Sequence, residues 1–159
     1  MRYFLCMLVV GLLGCGGLNP DDERRSSEYL LHRAGQAPVR GLVTFTEMEP
    51  GKIQVLIELE NTDERYAFPA HLHFGSITEV GELAIRLEDV EGASGRSVTI
   101  LDQEVIGEEV FTFDMLSEMN GSVKIHLSEG LFGHVVLSYG NIGANENLLS
   151  DGMTMCTGH

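Results

Sequence analysis

Three histidines have the types and spacing that point to chemistry: His71 and His73, one residue apart, and His126, far along the chain. Neutral imidazole is the commonest metal ligand, because it offers a lone pair without carrying charge. On an extended strand, residues i and i+2 face one side about 7 Å apart. His71 and His73 can therefore converge on one ion, while Leu72 points the opposite way, into the core. His126 lies in Val123-Lys124-Ile125-His126-Leu127, where apolar residues alternate with Lys124 and His126. That alternation puts His126 on the solvent side of its strand. Three imidazoles facing outward from two strands suit copper or zinc, and copper is in general held more tightly. The alternative is that these rings merely sit in water or bond to loops. His134 opens an expected strand and stands as a reserve ligand; His32 and the terminal His159 read as surface groups.

Such rings need a rigid sheet to hold them, and from Val39 onward the chain has a period of two. Gly41 to Thr46 reads as a strand, Glu49-Pro50-Gly51-Lys52 as the turn reversing it, and Ile53, Val55, Ile57 and Leu59 as the apolar side of the next strand. Asn61 to Arg65 is a loop, and Phe68 to Gly75 is extended because Pro69 disfavours helix. Further strands are expected at Leu83–Leu87, Ser97–Leu101, Ser122–Leu127 and His134–Tyr139, with turn signals at Glu91 to Gly95 and Asn120-Gly121. Phe113–Met119 reads as one short helix, and Glu28–Arg33 as a helical turn ended by Gly35. The expected fold is all-β, a Greek-key β-sandwich or flattened barrel of about seven to eight antiparallel strands.

The chain has 159 residues, with 24 acidic against 10 basic side chains and a formal charge of -14. The length fits one domain, and 43% hydrophobic residues suffice for a packed interior. The acidic balance excludes nucleic acid and electrostatic docking on anionic headgroups as partners, since no cationic surface is available to either. Residues 4–13 form an apolar run after Arg2 that is too short to span a bilayer and reads as a signal peptide. Residues 16–27 are polar and turn-rich, as a tether should be. Serines lack an elbow motif, glycine-rich stretches lack a phosphate-loop Lys, and the acidic loops lack calcium-ligand spacing.

The run ends in Leu12-Leu13-Gly14-Cys15, which resembles the lipobox of bacterial lipoproteins. The resemblance implies cleavage before Cys15, a diacylated Cys15 as the membrane anchor, and a bacterial cell-envelope location. Gly16 is not the Asp that commonly retains lipoproteins at the inner membrane, so the outer membrane is expected. The division is then a signal peptide over 1–14, lipidated Cys15 and tether over 15–37, and the β-domain over 38–159. Cys156 is left without a disulfide partner in the chain.

Gly41-Leu42-Val43-Thr44-Phe45 followed by His71-Leu72-His73-Phe74-Gly75 resembles the opening of copper/zinc superoxide dismutases. Val123 to Gly133 resembles the strand carrying that family's last copper histidine, and Gly140-Asn141-Ile142-Gly143 and Met155-Cys156-Thr157-Gly158 echo its closing segments. The order is also similar to chordin-type (CHRD) domains of bacterial secreted proteins and lipoproteins. By this resemblance His71, His73 and His126 map onto three copper ligands. The family's bridging fourth imidazole has no counterpart, since no His occurs between His73 and His126, and its zinc loop is replaced by residues 75–95, which hold no His. Met153 stands where the family has its superoxide-guiding arginine. The resemblance thus implies a copper-binding envelope lipoprotein with no zinc site and without efficient dismutation. A mononuclear copper redox enzyme acting on superoxide, and a metal-free structural or adhesion domain, remain alternatives.

Overall fold

A computed structural model describes residues 24–79 and 81–146. The signal and lipobox around Cys15, together with Met153, Cys156 and His159, lie outside the described residues. Alternation of apolar and polar residues governs what is described. Along the strands β1 (Ser26–Arg33), β2 (Arg40–Glu49) and β3 (Lys52–Glu60), every second side chain enters one core: Tyr29 and Leu31, Val43 and Phe45, then Ile53, Val55 and Ile57. The other strands are β4 (Ala67–Phe74), β5 (Leu83–Glu91), β6 (Arg96–Asp102), β7 (Val105–Ile106), β8 (Glu109–Val110), β9 (Asn120–His126) and β10 (Val136–Gly143). A short helix, α1 (Phe113–Glu118), is capped by the Thr112 hydroxyl, which accepts from the Met115 amide at 3.2 Å.

Eight of these strands close an antiparallel barrel in the order β1-β10-β9-β4-β5-β6-β3-β2, and β7 and β8 form a separate two-stranded ribbon. The expected all-β barrel of seven to eight strands is what forms. The connections β3 to β4 and β6 to β9 each pass over intervening strands, which is the Greek-key path. The second of these crossings lays β9 directly beside β4. Closure pairs every long strand on both sides, so none is left as an open edge.

Two expectations change. Glu28–Arg33 is not a helical turn but the greater part of β1, paired with β2 from Ser26↔Thr46 to Leu31↔Gly41. Tyr29 and Leu31 sit two apart and both reach the core, a strand period that the adjacent Leu30 masks in sequence. The barrel therefore begins at Ser26, inside the segment expected as tether, rather than at residue 38. The last strand starts at Val136, so His134 lies in the preceding turn and is exposed.

Candidate metal centre

β4 and β9 run antiparallel with His71 opposite Lys124 and His73 opposite Ser122. Leu72, Val123 and Ile125 point into the core, as the alternation requires, and His71, His73 and His126 all emerge on the barrel's outer side. One ring nitrogen from each histidine lies within 4.8 Å of the others. Ring centroids are 4.7 Å apart for His71 and His126, 5.9 Å for His71 and His73, and 6.2 Å for His73 and His126. Metal–imidazole bonds of about 2.0–2.1 Å place ligand nitrogens roughly 3–4 Å apart, so small ring rotations suffice to close the set.

The outer side is not open to solvent here, contrary to what the alternation implies for His126. His126 is 3% exposed and His73 7%. The segment between β4 and β5 folds back over β9 and β10: Ile77 is buried, and its amide donates to Asn141 Oδ1 at 2.9 Å. The stretch after β9 turns through a single 3₁₀ turn, Gly130–Phe132, and returns Gly133 above His126. Both covers supply hydrogen bonds. His73 Nδ1 contacts the Gly81 carbonyl at 3.1 Å, and His126 Nδ1 contacts the Gly133 carbonyl at 2.6 Å. A carbonyl only accepts, so each Nδ1 must carry the proton, and each neutral ring keeps a bare lone pair on Nε2. Those two Nε2 atoms are buried with no hydrogen-bond partner. Buried polar atoms are nearly always satisfied, so two orphans aimed at one spot mark a place for a ligand. Metal-bound histidines characteristically donate their second nitrogen to a carbonyl in this way.

His71 lies at the rim, its side chain 14% exposed. Its Nε2 is 3.4 Å from Arg86 Nη1 and 3.8 Å from Glu129 Oε1, and Arg86 itself donates to Glu129 at 2.8 Å. Burial pulls the His71 imidazole down to about 4, helped by repulsion from His126 and Arg86. Burial likewise pulls His73 down to about 4, against the Gly81 hydrogen bond that favours its charged form. His126 is lowered by burial too, with the Gly133 carbonyl opposing. All three are thus neutral near pH 7, the state a metal requires. Three neutral imidazoles with two uncommitted lone pairs fit a metal ion.

His134 and His32 take no part: both are exposed, and His32 packs against Tyr139 with ring centroids 6.4 Å apart. Among the described residues, His71, His73 and His126 are the group of His, Cys, Asp or Glu side chains placed to hold a metal. Sequence reasoning missed the carbonyls of Gly81 and Gly133 and the ion pair Arg86–Glu129. Backbone acceptors leave no mark in residue type, and the ion pair joins β5 to a loop across 43 residues. Comparison of the chain with protein-family models, with curated proteins and with solved structures gave no match.

Proposed function

We propose that this protein is a copper-binding lipoprotein of the bacterial cell envelope, anchored through Cys15, with His71, His73 and His126 as the ligands. The observation that carries the metal reading is the pair of buried Nε2 lone pairs on His73 and His126, converging with His71 and backed by carbonyls. Copper in particular is supported by the all-imidazole donor set and by the general order of metal affinities. Anchoring is supported by the Leu12-Leu13-Gly14-Cys15 motif, and a kinship with CHRD domains and copper/zinc dismutases by the segments around the three histidines. Bound copper supplies a one-electron couple. The chain's own residues orient the rings, exclude water from two of them and fix their tautomers. Efficient dismutation is not part of the reading, because the sequence lacks the bridging imidazole and the guiding arginine of the resembled family.

The test is a copper titration of the full chain followed by electron paramagnetic resonance. One equivalent should bind with nitrogen hyperfine structure, and His71→Ala and His126→Ala should each weaken binding by at least tenfold. An unchanged copper signal in both variants would sink the ligand assignment. Elemental analysis of natively purified protein that finds no transition metal would favour the metal-free structural domain instead. Superoxide consumption above that of free copper would favour the redox enzyme.

A further inference from the structure

Three imidazoles leave one position of a four-coordinate metal unfilled. The Nε2 atoms of His73 and His126 are sealed, so the cluster opens at its rim, past His71. Arg86 and Glu129 stand at that rim. Arginine only donates, so in its 3.4 Å contact with Arg86 Nη1 the His71 Nε2 is the acceptor, and its lone pair faces the same way. Glu129 Oε1 lies 3.8 Å from that nitrogen. Metal–nitrogen and metal–oxygen bonds of about 2.0–2.2 Å put neighbouring donor atoms roughly 3–4 Å apart, so the carboxylate stands at ligand spacing from His71. Glu129 comes three residues after His126, in the stretch that carries Gly133 back over that ring. Its side chain makes no capping bond to the 3₁₀ turn that follows, and it is held by Arg86 through Oε1 at 2.8 Å. Both side chains of this pair are more than half exposed, and ion pairs of that kind contribute little, so a cation can take the place of Arg86 at small cost.

An ion among three neutral rings keeps its whole positive charge, and an adjacent carboxylate is the group that offsets it. We propose that Glu129 is a fourth ligand of this centre, completing a set of three imidazoles and one carboxylate around a divalent cation. The inference rests on the metal reading of the three-histidine cluster and adds a donor to it. A hard oxygen donor suits a divalent ion better than monovalent copper, which prefers soft sulfur ligands. Four protein ligands also leave no vacant position. That is the form of a site that holds its ion, whereas a catalytic metal keeps a position open for water or substrate. Glu129 thereby makes this a holding centre rather than a reacting one.

The test compares the full-length wild type with Glu129→Gln and Glu129→Ala, which alter an exposed side chain outside the core. Cu(II) affinity is measured by competition with a Cu(II) chelator. Access to the bound ion is measured by titrating the copper-loaded protein with pyridine, a neutral monodentate ligand, followed by electron paramagnetic resonance. E129Q and E129A should each weaken Cu(II) binding tenfold or more. In both variants pyridine should bind at least tenfold more tightly than in wild type and add the hyperfine lines of a further nitrogen, because it enters the position that Glu129 has left. Unchanged Cu(II) affinity in both variants overturns the proposal. So does weakened Cu(II) binding with pyridine affinity equal to that of wild type, since a carboxylate acting through its charge alone does not block a neutral ligand. Either of these results, with tight Cu(II) binding by wild type, removes Glu129 from the ligand set and leaves the three histidines; a wild type that binds no Cu(II) removes the copper reading as well.

Discussion

Protonation separates this cluster from ordinary surface histidines. His71 and His73 are held near 4 by burial, well below the value of about 6.5 they have when unfolded. Between those limits the unfolded chain binds more protons than the folded one, so stability falls as pH drops from about 6.5 towards 4 and is fully present above 6.5. For His73, which is nearly sealed from water, the loss is on the order of 3 kcal/mol. Urea titrations of the metal-free protein across that window should show the fall, and His73→Gln should flatten it. Because the rings are already neutral, copper binding at pH 7 should release close to no protons, which calorimetry in buffers of different ionisation enthalpy reads directly. Pleat parity made the trio legible in sequence, as the shared side of His71, His73 and His126 shows. Their burial was not legible, nor was that of Lys124. Periodicity tells which side of a strand a residue takes, but not whether a loop later covers that side.

The loops that do the covering set the rings. Gly81 packs so closely on the Phe74 peptide that an added Cβ would lie 1.5 Å from the Phe74 carbonyl oxygen, and the Gly81 carbonyl is the acceptor that orients His73. Gly81→Ala should therefore push the loop off β4 and release the ring. Copper affinity is expected to fall roughly 10–100-fold and stability by about 1–3 kcal/mol, while far-ultraviolet circular dichroism keeps its strand signature. Unaltered affinity would mean that the carbonyl contact is incidental. Most elements could be read from the chain, including β2 to β6, α1 and β9, because each has its own alternation or cap. β1 could not, because the single strand-like pair Tyr29 and Leu31 is interrupted by Leu30, and its identity comes from pairing with β2 and β10 at distant positions.

Across the whole molecule, the charge of -14 surrounds a site built from neutral rings. Such a field draws cations inward and is screened by salt. The association rate of Cu(II), followed by stopped-flow, should drop roughly tenfold between low and physiological ionic strength; a salt-independent rate would show that the acidic surface does not steer the ion. The all-β class was legible from strand number and turn spacing, but the strand order was not, because a period of two identifies faces and leaves neighbours unspecified. That order also separates the ligands in the chain: β5, β6, β7, β8 and α1 all come between the strand bearing His71 and His73 and the one bearing His126. A half-assembled polypeptide offers a visiting ion only the two rings of a single ribbon, and the third arrives when β9 docks. A metal ion held by all three rings would therefore certify that this chain has finished folding, since an incomplete copy lacks the third ligand.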